Sequence, residues 1–476
     1  MAGISSKRRV GLLAAASVAA LAGQALGQQL CQVSTGPDVI VGDITGPANY
    51  TAAGGLDALS LGTTSCNIGN VWLNWFANTN QHPVIGGNLY RYKVVDGAPR
   101  FEQVGMSWLK HGFFALSQTL CCSNCSSTNG QHLGVGCSDP YTAGRNGEQP
   151  NLGPRWQVNA TTGVFTYPPA NPSYSGTTAR RLQVSMDDLE NTAGSTTRYF
   201  GESQYVSPDD ATANNQHNNA SFREITVSGT STNRTFAFAT TPPFNTTQRR
   251  KAAIEAWKLI DPEVVETPVI IDGKFIVSSR AFDLGNGMWR YEYAVYNMNS
   301  DRSGQAFSVP VPADSVVTNI GFHDVDYRNG DGPGNANFSG ADWTGTRTSN
   351  EVSWATQTFA ENASANALRW GTTYNFRFDT NVPPADTTGE ITLTTFKAPA
   401  DFAVAAVVPA GTIPCPADWD DNDVVNTSDI SLYLNDWFND IATSNTVADF
   451  DHNGVTNTSD LSQFLSTWFA ALSGNC

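Results

Sequence analysis

VIIDGKFIV (residues 269–277) sets Asp272-Gly273 between two β-branched apolar runs, the strongest short-range mark of a β-hairpin. Working outward, Trp289, Tyr291, Tyr293 and Val295 recur at every second position, as do Tyr374, Phe376 and Phe378. A period of two puts each set on one face of a strand. AFSVPVP, EITLTTF and FAVAAVV add further runs of the same kind. Residues 249–409 are therefore expected to form an antiparallel β domain with one buried face, most simply a β-sandwich. Just inside its start, residues 251–260 fit a short helix that Pro262 ends, and beyond it residues 410–417 read as a linker.

The preceding chain is less regular. Residues 28–160 are rich in Gly, Asn, Ser and aromatics and carry six of the eight cysteines, which suits a loop-rich, disulfide-braced domain. Residues 161–248 contain PPANPSYSG, NNQHNNAS and TTPPF and read as a polar, irregular segment. At the start, Lys7, Arg8 and Arg9 precede an apolar run that closes on the small residues Ala25 and Gly27. Residues 1–27 thus read as a signal peptide, too short to span a bilayer, and the chain is expected to be secreted with no transmembrane span. The 27 Lys and Arg against 43 Asp and Glu leave −16, a balance that argues against nucleic acid as a partner.

Much of that acidity sits at the C-terminus. DWDDNDVVNTSD (418–429) is answered by DFDHNGVTNTSD (449–460), an offset of 449 − 418 = 31 residues. A twelve-residue loop supplies Ca²⁺ with oxygens from positions 1, 3, 5, 7, 9 and 12, the seventh through its backbone carbonyl. Asp418, Asp420, Asn422, Val424, Asn426 and Asp429 fall on those positions in the first copy. Asp449, Asp451, Asn453, Val455, Asn457 and Asp460 do so in the second. Gly454 at the sixth position of the second loop is Asp423 in the first, which makes the first the weaker expected site. Each loop leads into a helical stripe, Ile430, Leu434, Trp437 and Phe438, then Leu461, Leu465, Trp468 and Phe469. No such stripe precedes either loop. Two loop-helix units end to end would bring Cys415 and Cys476 together as a disulfide, with covalent attachment through Cys476 as the alternative.

This duplicated segment, with Asp rather than Glu at position 12 and the shared N-T-S-D ending, resembles a dockerin. The resemblance implies a small all-α calcium-binding module that docks onto a cohesin-type partner. It further implies that loop positions 10 and 11, Thr427 and Ser428 with Thr458 and Ser459, contact that partner; helix capping is the other role open to them. It also implies a polysaccharide context, either as a binding component or as a hydrolase; a surface-structural protein with no carbohydrate ligand is the third role open to the chain. The stretch from Trp289 through FHDVDY is similar to β domains of dockerin-tagged planctomycete proteins of unknown activity.

Catalytic motifs are absent: the chain has no G-x-S-x-G elbow, H-E-x-x-H helix or P-loop. A glycoside hydrolase would need two converging carboxylates, for which Glu102, Glu148, Glu202, Glu224 and Glu292 are candidates. Cys121, Cys122, Cys125 and Cys137, near His111 and His132, are read as disulfides first and as a metal site second. His323-Asp324-Val325-Asp326 is read either as a solvated strand edge or as a cation site. Trp72, Trp75, Trp108 and Trp156 suit a core or a sugar-binding surface equally.

Overall fold

The computed structural model describes residues 33–473, except 150–151, 171–174, 231–232, 286, 412–414, 421 and 423. The expected signal peptide, Cys31, Asp423 and Cys476 lie outside the described residues. The protein is mainly β, with antiparallel sheets throughout and a small helical C-terminal region.

A large sheet runs in the order Val39–Ala53, Leu56–Asn67, Leu182–Ser185, Ala98–Met106, Val84–Val95, Arg198–Val206, Ala220–Thr230 and Asn233–Phe238. It therefore takes four of these eight strands from residues 161–248, the stretch expected to be irregular. Its polar character misled because the loops there are long, whereas Tyr199, Phe200, Phe222 and Ile225 on its strands are fully buried. The cysteine-containing segment and this stretch are one sheet, not two units.

The sandwich is present as expected. One sheet is ordered Val265–Ile270, Lys274–Asp283, Trp289–Asn297, Thr372–Thr380, Val317–His323. The other is ordered Thr344–Arg347, Glu351–Ala355, Gly304–Pro310, Gly389–Thr395, Asp401–Ala406. Tyr291, Tyr293, Val295, Phe307, Trp354, Phe376 and Phe378 fill the space between them. The hairpin forms around residues 271–273, with Ile270 opposite Lys274. Gly273 serves a close approach here, since a Cβ would lie 2.4 Å from the Asn299 carbonyl oxygen.

One expectation needs correcting. The central strands of the first sandwich sheet are buried on both faces, because the large sheet covers their outer side. Tyr90, Phe101, Phe200 and Phe222 from the large sheet pack with Ile276, Ala294 and Tyr296 from the sandwich. The architecture is three sheets deep, so 249–409 shares its core with the chain before it. Polar side chains at this inner boundary are paired across it. Arg100 Nε donates to Glu292 Oε1 at 2.7 Å, Thr373 N to Gln103 Oε1 at 2.7 Å, and Tyr296 OH to Glu202 Oε1 at 3.1 Å. Bonds of this kind offset the cost of burying polar atoms and fix the register of one layer on the next.

The short helix is Glu255–Ile260, and Trp257 anchors it in the interlayer core. Among the described residues no helix is long and apolar enough to cross a membrane.

Candidate functional site

Each tail repeat folds as loop then helix, with helices at Thr427–Thr443 and Thr458–Ala471. Both start on the same device. Asn426 Oδ1 accepts from Ser428 N at 2.8 Å, and Asp429 Oδ2 accepts from Asn426 N at 2.8 Å. Asn457 and Asp460 repeat the pattern with Ser459 N and Asn457 N, both at 2.8 Å. These capping boxes satisfy backbone donors that a helix start otherwise leaves orphaned.

The caps hold the acidic side chains in place. Carboxylate oxygens of Asp418, Asp420 and Asp429 lie within 4.8 Å of one another, and so do those of Asp449, Asp451 and Asp460. Each trio could hold a metal ion. Asp429 and Asp460 are fully buried, and Asp420 Oδ1 is shielded from water with no hydrogen-bond partner. That orphan oxygen beside two further carboxylates suits a hard cation that takes oxygen ligands. Burial first, then the Asp429 and Asp418 charges, push the Asp420 carboxyl up. Burial also pushes Asp460 up, but backbone N–H groups of Asp451, Asn457, Asp460 and Phe450 together hold it below the usual carboxylate range.

The remaining loop positions divide. Asn422 and Asn453 accept from the N–H of Val424 and Val455 at 2.9 and 3.0 Å. Asn426 and Asn457 turn their oxygens to the helix caps, and their amide nitrogens donate to the Val424 and Val455 carbonyls at 2.8 and 3.0 Å. Thr427, Ser428, Thr458 and Ser459 are exposed in the first helical turn, and the caps are the asparagines rather than these hydroxyls. Gly454 adopts φ +87°, the left-handed conformation its loop position requires.

The repeats are locked to each other reciprocally, a feature sequence reading missed. Trp437 Nε1 donates to Asn457 O at 2.7 Å, and Trp468 Nε1 donates to Asn426 O at 2.9 Å. Both offsets equal the repeat, 468 − 437 = 31 and 457 − 426 = 31. Tyr433 and Phe464, also 31 apart, stack at the centre with ring centroids 3.9 Å apart. The repeated tryptophans signalled this symmetry, but only the fold shows that each reaches the other's cap.

Elsewhere the expectations resolve unevenly. Cys66 pairs with Cys121 and Cys125 with Cys137; Cys122 and Cys415 are disulfide-bonded too. The metal reading of that cluster fails, since its sulfurs are consumed. Its histidines also look elsewhere: His111 Nδ1 meets His82 Nε2 at 3.0 Å, and His132 stacks under Trp72. The cation reading of the His323 segment fails likewise. Asp324 bonds Asn366 and Asp326 pairs with Arg328 at 3.1 Å. Among the described residues the only carboxylate, His or Cys groups able to hold a metal are the two tail trios.

Of the candidate glutamates, Glu102 and Glu292 lie near enough to act on each other, and both are buried and ion-paired rather than set in a cleft. Glu102 is paired with Arg91 at 2.8 Å, Glu292 with Arg100, and Glu224 with Arg198 at 2.7 Å. Glu202 is buried among Asn88, Tyr296 and the Ala253 N–H, and Glu148 is exposed on its own short helix. Of the tryptophans, Trp75 is core and Trp72 is exposed, while Trp108 and Trp156 line one cleft.

No family model matches this chain, and no curated protein does. Among solved structures, a biofilm-associated protein B domain aligns at 9% identity over 80% of this chain and 86% of that one, with a TM-score of 0.12. No common fold follows from a superposition at that score.

Proposed function

We propose that this is an exported, calcium-loaded component of an extracellular assembly that docks onto a cohesin-type partner through its dockerin-like tail and carries residues 33–410 as polysaccharide-binding cargo. The observation that carries this reading is the duplication in three dimensions: two aspartate trios, each completed by the first turn of a capped helix, each helix bonded to the other's loop. The donors are all oxygens, with no thiolate or imidazole among them, which favours Ca²⁺ over softer metals. The disulfides of the N-terminal part suit an oxidising compartment.

The duplication reaches the surface. Phe438 and Phe469 are 63% and 64% exposed, and Val424 and Val455 are 57% and 60% exposed. With Thr427 and Ser428 exposed on one copy and Thr458 and Ser459 on the other, the module presents like residues twice. The non-catalytic role is preferred to a hydrolase because Glu102 and Glu292, the two candidates that act on each other, are buried in ion pairs with Arg91 and Arg100.

The test is docking to immobilised cohesin domains, with calcium binding followed by calorimetry. Chelation should abolish docking and raise hydrogen exchange across residues 415–473 while leaving the sheets protected. Replacing Thr427 and Ser428 with Arg should leave docking nearly intact, and replacing all four hydroxyl residues should abolish it at unchanged calcium affinity. A tail that takes up no calcium, or docking that survives the fourfold substitution, refutes the proposal.

A further inference from the structure

Where the large sheet meets the sandwich loops, Trp108, Trp156, Phe338 and Trp370 wall a cleft of about 320 Å³. Its walls are built without a ligand. Trp370 Nε1 donates to Arg155 O at 3.1 Å, Arg155 Nη1 to Gly371 O at 2.8 Å, and Trp108 Nε1 to Asp331. Tyr327 meets Phe338 edge-on, centroids 4.9 Å apart. These bonds join the two halves of the molecule, so the cleft is pre-formed, and little ordering cost attends binding.

Two features of the cleft are not explained by folding. First, Trp156 Nε1 is shielded from water and has no acceptor. The core residues Trp75, Trp257 and Trp354 share an unpartnered Nε1, so what distinguishes Trp156 is its place in the cleft wall. Second, the lining is basic within an acidic chain. Arg155, Arg181, Arg328, Arg369 and Lys397 face Asp301 and Asp331, five cations to two carboxylates, where the whole chain carries −16. Lys397 is paired with Asp301 at 3.0 Å and Arg328 with Asp326. Arg155 feels the Glu202 and Asp331 charges and Arg369 the Asp301 charge without a direct ion pair, and Arg181 donates to Gly147 O and stacks on Tyr50. Arg369 donates to Ala363 O and Ala365 O at 3.1 Å and lies 3.8 Å over the Phe338 ring, yet its Nε is buried without an acceptor. A cation held this way pays for burial without a counter-ion, and an incoming anion would remove that penalty.

The walls and the charge together describe one ligand class. Flat indole faces take the apolar face of a sugar ring, and Arg328, whose partner Asp326 is 64% exposed, takes an acid group together with Arg369, whereas the donors of Arg155 are spent on Ser107 O, Gly371 O, Gly87 O and Asn88 Oδ1. We propose that this cleft binds an anionic sugar residue, carboxylated or sulfated, with its ring against Trp156 and its acid group on the arginines of the lining. The inference rests on the polysaccharide-cargo reading, but not on the tail.

The test is calorimetry on the full exported chain in calcium, with trigalacturonate, a sulfated galactan trisaccharide and cellotriose as probes. At least one acidic trisaccharide should bind about tenfold or more tighter than cellotriose, and more weakly as NaCl rises from about 50 to about 500 mM. Trp156→Ala and Arg328→Gln, both at half-buried positions, should each weaken that binding about tenfold at unchanged melting temperature. Equal affinity for cellotriose overturns the anionic assignment. Unchanged affinity in both variants places the sugar elsewhere and overturns the site, leaving the cargo reading standing. No heat with any of the three overturns the proposal, and cohesin docking by the same sample shows separately whether the tail reading survives.

Discussion

Lys110 is the sharpest test of the electrostatic reasoning. It is 4% exposed, its Nζ donates only to Ser107 Oγ at 3.2 Å, and it has no ion pair among the described residues. Burial first, then the Arg155 charge, hold its ammonium down from 10.5 to about 7. That drop corresponds to about 5 kcal/mol against the protonated form. Because the folded value lies below the unfolded one, the unfolded chain binds the extra proton between pH 7 and 10.5, and stability rises with pH across that window. Lys110→Met keeps the aliphatic stem and removes the charge. Set against about 1 kcal/mol for the lost Ser107 bond, the variant should be more stable than the parent by roughly 4 kcal/mol at pH 6. The gap should shrink almost to nothing by pH 10. Urea unfolding of the disulfide-intact protein, followed by tryptophan fluorescence at pH 6, 8 and 10, measures it. A variant no more stable at pH 6, or a gap equal at pH 6 and 10, refutes the reasoning.

Arg100→Met strands Glu292, which burial pushes up to about 7, and should cost roughly 3–5 kcal/mol at pH 8 by urea unfolding. In the parent Glu292 takes up its proton as pH falls through about 7, and once it is neutral in both proteins the missing Arg100 charge no longer matters, so this loss should diminish as pH falls from 8 through about 7 and stay level below it. Trp437→Phe and Trp468→Phe each remove one indole bond to a cap carbonyl and should each lower tail stability by about 1 kcal/mol in calcium-buffered melts followed by circular dichroism. If only one of the two matters, the repeats are not equivalent partners.

Local order was legible wherever a short-range rule acts alone. The alternation of Tyr291, Tyr293 and Val295 announced a strand, Asp272-Gly273 a hairpin, and the 31-residue echo two loops with matching helices. In each case the cause lies within a few residues: side-chain period, turn chemistry, loop spacing. The sequence by itself also placed the two aspartate trios, because a twelve-residue loop brings its own ligands together.

The remaining features depend on residues far apart in the chain. Ala294 and Tyr296 look like the outer face of a sandwich until the large sheet covers them, and nothing local tells a covered face from a wet one. Arg100 and Glu292 are separated by nearly two hundred residues, so neither signals that it is half of a buried pair. The strands of 161–248 were hidden by the polar loops between them, and their burial is conferred by neighbours on other strands. Asn426 and Asn457 occupy ligand positions by count yet cap helices, since the backbone turn at the loop exit aims their oxygens at Ser428 N and Ser459 N. The cleft around Trp108 and Trp156 exists only because two sheets meet there, and the arginines that make it basic come from both. Side-chain period and loop spacing are properties of a segment, whereas burial, pairing and cavities are properties of what packs against it.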